Sequence, residues 1–267
     1  MKVLIVGVGN MGKTYARSLT ASHFAKGADL FLLDKNPVEE SFVKGIPAGN
    51  VFSNATKKVN EADIIILAVK PQDIHELAPG LKPFVHTEQI ILSIMAGIKM
   101  ETVANLLGTK KIVRAMPNLP AQIGMGMTVF TCLPALDKKE LFIIQNLLNT
   151  TGKSVYVEDE NLVDAATALS GSGPAYVYYF MEAMIQAGMK MGFSQSEAEL
   201  MVNQTFMGAV NLHNRNELTC GEWIKKVASK GGTTEAALKV FAANDLQTKI
   251  GDGISSAYQR AVELGKG

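Results

Sequence analysis

A glycine-rich motif directly follows the first apolar segment of the chain. Residues 3–6 read Val-Leu-Ile-Val, and residues 7–12 read Gly-Val-Gly-Asn-Met-Gly. In this G-x-G-x-x-G pattern Gly7 permits a tight turn, Gly9 lets the backbone approach a pyrophosphate, and Gly12 lets the next helix pack close to the strand. The N-terminus of that helix would then hold phosphate groups. The motif therefore predicts a dinucleotide site; the alternative is a glycine-rich turn that binds no ligand.

The end of the second apolar segment is another place where chemistry is expected. Residues 30–33 lead into Asp34, which is followed by Lys35 and Asn36. A carboxylate at this position would accept a hydrogen bond from a free ribose 2′-hydroxyl and repel a 2′-phosphate, which favours NAD(H). Lys35 and Asn36 could instead bind that phosphate and favour NADP(H). These residues leave both coenzymes open.

Three further loops follow apolar segments and are expected to face the same ligand. They cover residues 68–71, 94–97 and 114–120. Ligands of open α/β sheets lie beyond the carboxyl ends of the strands, where such loops are found. Pro71 also suits the first position of a helix. Asn118 lies between two prolines, either as a polar group held towards the ligand or as a residue that only satisfies its own turn.

Two glycine-rich segments in the second half of the chain indicate a second polar site. They are residues 169–176, Leu-Ser-Gly-Ser-Gly-Pro-Ala-Tyr, and residues 229–235, Ser-Lys-Gly-Gly-Thr-Thr-Glu. We expect each segment to open a helix and so to present free backbone N–H groups to an anion. Helix capping alone would explain a threonine in the second segment, but not the two adjacent glycines before it.

Apolar segments in the first half of the chain predict the strands that position these loops. Besides 3–6 and 30–33, they cover residues 51–52, 63–69, 89–93, 111–114, 127–130 and 154–157. Segments that are apolar at nearly every position are typical of strands buried on both faces, as in a mainly parallel sheet covered by helices. We therefore expect an α/β fold, with a doubly wound, mainly parallel Rossmann domain over residues 1–160.

Beyond residue 160 the apolar pattern becomes helical. It predicts helices over residues 175–191, 195–213, 220–227, 233–243 and 247–264. The second of these carries apolar residues on several sides, and one domain of this size can hardly supply neighbours for all of them. We therefore expect an all-helical substrate-binding and dimerisation domain over residues 161–267, and a homodimer formed through it.

The composition argues against several other classes of function. The 267 residues carry 26 Lys and Arg against 25 Asp and Glu, with no basic stripe, so no nucleic-acid partner is expected. Neither a secretory leader nor a bilayer-spanning apolar run is apparent, which predicts a cytoplasmic protein with no membrane partner. Cys132 and Cys220 lie in no metal-ligand pattern, so neither a metal site nor a disulfide framework is expected.

Four motifs together resemble the pyrroline-5-carboxylate reductase family, in the family's order and over essentially the whole chain. They are residues 7–12, 68–71, 169–176 and 231–238, and the last two are specific to that family. The resemblance implies an enzyme that reduces the cyclic imine 1-pyrroline-5-carboxylate to L-proline, the last step of proline biosynthesis. It also implies NADPH as the coenzyme slightly ahead of NADH, and homodimers with interlocking helical domains that assemble further in some members.

The resemblance also implies roles for individual residues. The coenzyme contacts it implies are Val6, Gly7, Val8, Gly9, Asn10, Met11, Asn54, Ala68, Val69, Lys70, Pro71, Ile94, Met95 and Ala96, to which the motif and the second strand add Gly12, Asp34, Lys35 and Asn36. The substrate residues are Glu217, Gly231, Gly232, Thr233 and Thr234. Thr234 is the candidate catalytic residue: its hydroxyl would donate the proton, directly or through water, unless the imine arrives protonated. The family often has proline where this chain has Lys230, which leaves the local charge open.

Two other functions share part of this pattern. Hydroxy-acid dehydrogenases of the 3-hydroxyisobutyrate type have a similar glycine-rich opening and a helical second domain. They rely on a lysine shortly after the second glycine-rich segment, and residues 173–179 contain none. A dinucleotide-sensing module without catalysis is the other alternative, and the second polar site in the helical half argues against it.

Overall fold

The first half of the chain forms one eight-stranded sheet in the computed structural model, which describes residues 1–39, 42 and 44–265. The strands are β1 (Val3–Val6), β2 (Leu30–Leu33), β3 (Val51–Phe52), β4 (Ile64–Leu67), β5 (Ile90–Ser93), β6 (Ile112–Met116), β7 (Gly126–Cys132) and β8 (Gly152–Tyr156). Their order across the sheet is β3-β2-β1-β4-β5-β6-β7-β8. Within this described sheet, β6 and β7 are the only neighbours that pair in antiparallel fashion. The predicted doubly wound, mainly parallel Rossmann sheet is confirmed.

The central strands are buried at every position because helices cover both faces of the sheet. This holds for β1, β2, β4 and β5. The register aligns their ends: Val6 pairs with Leu33 on one side and with Leu67 on the other. The loops that follow these strands therefore begin at the same edge of the sheet. Observed strand bounds differ from the predicted ones by one or two residues at some ends; in β4, for example, the apolar run continues into the turn at Ala68 and Val69.

Four α-helices accompany the sheet. They are α1 (Asn10–Ala21), α2 (Ile74–Leu81), α3 (Met100–Leu107) and α4 (Lys138–Asn149). Tyr15 of α1 is fully buried, and burial raises the pKa of its hydroxyl to about 12. Asp137 caps α4 through the backbone N–H of Glu140, and the Glu140 side chain returns the bond, as the Asp-x-x-Glu spacing predicts.

The second half is helical, as expected. Its helices are α5 (Asn161–Ala166), α6 (Gly173–Lys190), α7 (Gln195–Asn214), α8 (Cys220–Val227), α9 (Thr233–Ala243) and α10 (Leu246–Leu264). The sequence analysis did not predict α5. The expectation that residues 169–176 form a helix-opening loop was wrong in part, because Thr167–Gly171 form a π-helical turn that continues α5. Ser172 N–H donates to the Thr167 carbonyl, so this segment is itself largely helical.

The chain divides into two compact units. One consists of residues 1–173 together with the chain from Ala257 onward, and the other is Pro174–Ser256. The second unit, all of whose residues are described, buries only Ala198 and Val202. Among the described residues no helix is long and apolar enough to cross a membrane. The domain division after residue 160 stays a prediction.

Candidate functional site

The glycines of the G-x-G-x-x-G motif occupy three different environments. Gly7 has φ +92°, and a Cβ there would lie 2.8 Å from the carbonyl of Ala68. A Cβ on Gly12 would lie 2.0 Å from the Gly7 carbonyl oxygen, so α1 approaches the turn more closely than any side chain allows. A Cβ on Gly9 would meet nothing within 4 Å. The close contacts explain Gly7 and Gly12, and Gly9 leaves its backbone open on the side where a pyrophosphate would approach.

The N-terminus of α1 has the properties of an anion site. Gly9 is the N-cap and provides no side chain to satisfy the first N–H groups, and the first turn contains no acidic residue. The helix has 12 residues, so its aligned peptide dipoles add a partial positive charge at this end. These features and the open space at Gly9 fit the pyrophosphate of a dinucleotide.

Backbone hydrogen bonds bring the predicted coenzyme loops together at one edge of the sheet. Gly7 N–H donates to the Leu33 carbonyl over 2.8 Å, and Ala68 N–H donates to the Val6 carbonyl over 2.8 Å. Ile94 N–H donates to the Leu67 carbonyl over 3.1 Å. The loops that contain residues 6–12, 34–36, 68–71 and 94–96 therefore start side by side. Pro71 opens a short 3-10 helix after Lys70, as expected of a proline suited to the first position of a helix.

Asp34 is turned towards the glycine-rich loop. Its Oδ2 accepts a hydrogen bond from the backbone N–H of Val8 over 2.6 Å. Its Oδ1 accepts from the backbone N–H of Asn36 over 2.9 Å, and the Asn36 amide donates to the same oxygen over 3.3 Å. Oδ1 thus accepts two bonds, whereas Oδ2 accepts one and has a second lone pair, so Asp34 can still accept a bond from a ribose hydroxyl through Oδ2. Asn54 follows β3, whose Phe52 carbonyl accepts from Asp34 N–H over 3.2 Å.

Asn118 braces the loop after β6. Its Oδ1 accepts from the backbone N–H of Met127 over 2.8 Å, and its Nδ2 donates to the Ser170 carbonyl over 3.0 Å. The side chain therefore joins the beginning of β7 to the π-helical turn. It does more than satisfy its own turn, and both ends of its amide are engaged by protein.

A cluster of charged residues lies between β6 and α5, with two buried members, and it was not predicted from the sequence. Arg114 and Asp164 are each about 1% exposed and form an ion pair. Arg114 also contacts Glu160 over 3.2 Å, and Lys99 contacts Asp164 over 2.8 Å. The backbone N–H of Met100, at the start of α3, donates to Glu160 over 2.8 Å. The cluster thus ties the beginnings of α3 and α5 to the sheet. An acidic residue in the apolar run 162–168 was the available signal.

In the second unit the predicted substrate residues lie in the two turns that flank α8. Gly231 has φ +74° and open space around it. Its N–H donates to Glu235 Oε2 over 2.6 Å. Gly232 is the N-cap of α9, and Thr233 and Thr234 are the first two helical residues. Neither threonine is therefore the cap.

The remaining candidates are the other substrate residues and the residue types that could bind a metal. Glu217 is exposed in the turn between α7 and α8, and Thr234 is half-buried at the start of α9. Among the described residues no group of three or more His, Cys, Asp or Glu side chains could hold a metal ion. Cys132 and Cys220 are free thiols.

Comparison with known proteins gives a family profile for each half of the chain and named relatives over its whole length. A family profile described as pyrroline-5-carboxylate reductase dimerisation matches residues 160–264. A second, described as NADP oxidoreductase coenzyme F420-dependent, matches residues 2–97. The pyrroline-5-carboxylate reductase of Aquifex aeolicus is 36% identical and that of Pseudomonas aeruginosa 33%. The matches cover 99% and 98% of this chain and 97% and 96% of those relatives, respectively.

Solved structures agree with the sequence relatives. The pyrroline carboxylate reductase of Plasmodium falciparum, solved with NADP bound, superimposes with a TM-score of 0.88 at 25% identity, over 99% of this chain and 98% of that one. A pyrroline-5-carboxylate reductase from Coxiella burnetii gives a TM-score of 0.88 at 29% identity, over 100% of this chain and 99% of that one.

Proposed function

The chain belongs to the pyrroline-5-carboxylate reductase family, and from this premise we infer that it reduces 1-pyrroline-5-carboxylate to L-proline with a nicotinamide coenzyme. The observation that carries the inference is the likeness to named reductases over the whole chain, which includes both the coenzyme half and the helical half. A protein that shared only the Rossmann sheet would support no particular substrate.

The coenzyme is NADP(H), in keeping with the NADP bound to the Plasmodium falciparum relative. When bound, it supplies the hydride. We assign its pyrophosphate to the N-terminus of α1, because Gly9 leaves the backbone accessible and no side chain occupies the first N–H groups. We assign its remaining contacts to the loops after β2, β3, β4 and β5, which contain Asp34 to Asn36, Asn54, Ala68 to Pro71 and Ile94 to Ala96.

The protein's main task in this reaction is alignment. A protonated imine is already a good hydride acceptor, so the chain needs neither a nucleophile nor a Lewis acid to activate it. Holding two reactants in the right geometry can supply about 7–11 kcal/mol of the barrier. A substrate carboxylate at a helix N-terminus gains only about 0.3–1 kcal/mol at an exposed site. We therefore assign the turn at residues 231–234 to positioning the substrate.

We assign the proton donor to Thr234 and a substrate contact to Glu217. The turn offers an open position at Gly231 and the first N–H groups of α9 for a carboxylate. Glu235 already accepts the N–H of Gly231, so the substrate would use the N–H groups that follow it. The Thr234 hydroxyl is a weak acid and would act directly or through water, or orient an imine that arrives protonated.

The protein associates with itself through its helical half, which matches the dimerisation profile. We propose that the assembly is at least a homodimer. In the single chain, apolar side chains of α7 remain exposed, among them Leu200, Met207 and Val210, which are 69%, 55% and 56% exposed. A second copy would cover such a surface.

We propose that the enzyme is cytoplasmic, since two free thiols are stable in that compartment. We also propose that it has no nucleic-acid or membrane partner. The formal net charge of +1 provides no electrostatic attraction to either of these partners.

A turnover assay tests the function directly. We expect the purified protein to oxidise NADPH only when 1-pyrroline-5-carboxylate is present, and to release an equal amount of proline. Turnover with 3-hydroxyisobutyrate and not with the imine would indicate the hydroxy-acid dehydrogenase alternative. Binding of NADPH without turnover of either substrate would indicate a sensing module.

A further inference from the structure

The last turn of α10 packs against the loop that follows β5. Ala261, in this part of α10, is about 3% exposed. The partner loop, residues 94–97, is also largely buried: Ile94 is about 9% exposed and Met95 about 2%, whereas Ala96 is half-buried. Both segments belong to the first of the two compact units.

Two glycines make this contact one of backbone against backbone. A Cβ on Gly97 would lie 2.9 Å from Leu264 Cβ and 3.0 Å from the Leu264 carbonyl carbon. A Cβ on Gly265 would lie 2.6 Å from the Gly97 carbonyl oxygen. Contacts this short with backbone atoms cannot be relieved by rotating a side chain. Either the loop or the helix end must move if a side chain is added.

Gly97 also fixes the shape of the loop. Its φ is +79°, in the left-handed region that glycine adopts without steric cost. The chain therefore bends at Gly97, where α10 approaches it. Directly before Gly97 lie Ile94, Met95 and Ala96, which we assign to the coenzyme.

We propose that residues 264–265, at the end of α10, form a positioning element for the coenzyme loop at residues 94–97. The inference rests on the proposed function, since it takes residues 94–96 to contact the coenzyme. The end of the chain would hold this loop in the shape that receives the nicotinamide coenzyme. The glycine pair permits the close approach, and displacing either side would misplace the loop. Misplacement of reacting groups by about 1 Å can cost about 100-fold in rate, and we expect a displaced loop to bind the coenzyme less tightly as well.

The test is the dissociation constant of NADPH, measured by its fluorescence on the full chain. We expect Gly265→Ala and Gly97→Ala each to raise this constant about tenfold. The control is Gly108→Ala. Gly108 ends α3 with a similar φ of +75°, but its Cβ would meet only Lys82 Cε at 3.5 Å. It should lose a similar amount of stability by backbone strain and leave the dissociation constant unchanged.

The outcomes separate the inference from the proposed function. If wild-type protein fails to bind NADPH, both are overturned. If wild-type protein binds NADPH and Gly265→Ala binds it equally well, only the inference is overturned. A lower melting temperature with an unchanged dissociation constant in both variants would show that the contact is packing alone. Because Gly265 is not in the left-handed region, Gly265→Ala remains informative if Gly97→Ala fails to fold.

Discussion

Asp34 makes a hydrogen bond to the glycine-rich loop that its sequence position did not predict. From the sequence it was a carboxylate at a strand end, and in the structure it also holds the N–H of Val8 over 2.6 Å. The same carboxylate thus fixes the glycine-rich loop and faces the place where a ribose 2′-group is expected. Removing it should loosen the loop for either coenzyme, so only the ratio of the two coenzymes reports its effect on the 2′-group.

We predict that Asp34→Ser raises the NADPH to NADH ratio of kcat/KM by about tenfold, or roughly 1.4 kcal/mol of discrimination. The reason is that the variant removes a negative charge that repels a 2′-phosphate. Asp63→Ser is a matched control, because Asp63 Oδ2 likewise accepts a backbone N–H, that of Lys2, over 2.7 Å at the other edge of the sheet. An unchanged ratio in Asp34→Ser would assign the preference to Lys35 or Asn36.

Thr234 is the residue on which the proposed chemistry depends. We predict that Thr234→Ala lowers kcat/KM for the imine about tenfold to a thousandfold, or roughly 1.4–4 kcal/mol, with little change in NADPH affinity. Its stability should change little, because Gly232 and not Thr234 is the N-cap of α9. Steady-state kinetics and the melting temperature are measured on the same preparation.

Ser194→Ala provides the control for helix capping. Ser194 is a true N-cap, whose Oγ accepts the backbone N–H of Glu197 at the start of α7. We expect this variant to lose about 0.5–2 kcal/mol of stability and to keep its kinetics. If Thr234→Ala behaved in the same way, less stable but fully active, Thr234 would have no part in the chemistry.

At the scale of secondary structure, the sequence predicted the strands well, and it predicted the helices of the second half well apart from α5. Apolar runs, glycine-rich turns and capping boxes are local signals, and each depends on a few neighbouring residues. Two features could not be predicted from such local signals. The π-helical turn at Thr167–Gly171 ends in a serine and a glycine, and Ser172 and Gly173 follow it; these residue types locally favour a loop. The contact between Gly97 and Gly265 joins residues that are 168 positions apart in the sequence.

The pairing of Arg114 with Asp164 escaped prediction for the same reason. Each residue looks like an ordinary surface charge in its own segment, and they are 50 positions apart. Only the packing of α5 on β6 brings them together and excludes water from both. The sequence therefore predicts the elements better than it predicts the buried polar contacts that fasten them.

We predict that Asp164→Asn lowers the free energy of unfolding by about 3–5 kcal/mol, because it leaves the buried Arg114 without its main partner. Urea denaturation measures this loss. Glu263→Gln is the control, since Glu263 pairs with Arg260 over 2.8 Å at the surface, where both side chains are more than 60% exposed. It should change the stability by about 1 kcal/mol or less. A similar small loss in Asp164→Asn would mean that water or Glu160 compensates.

The whole chain has an uneven distribution of buried residues. The sheet half contains two continuous apolar cores, one on each face of the sheet. The second unit, in contrast, buries only Ala198 and Val202. A unit with so small an interior cannot offset the loss of chain entropy through its own packing. We therefore expect its stability to come largely from association, and this part of the chain matches the dimerisation profile.

We predict that the wild-type protein has at least twice the 28.7 kDa mass of one chain at micromolar concentration. Obligate interfaces typically bury about 2,000 Å² or more. Leu200 and Met207 are seven positions apart on α7 and so lie on one face, and they are 69% and 55% exposed in the single chain. Changing both to Asp should dissociate the assembly, because burying two unpaired carboxylates costs several kcal/mol each.

Light scattering measures the mass of the wild type, of this double variant and of a control. The control is Phe142→Asp, which places the same charge on an apolar residue of α4 that is 64% exposed in the first unit. It should keep the wild-type mass, whereas the double variant should become a monomer with a lower melting temperature. An active wild-type monomer would contradict the association itself. A double variant that remained assembled would instead exclude this face of α7 from the interface, and the exposed residues of α6 would be tested next.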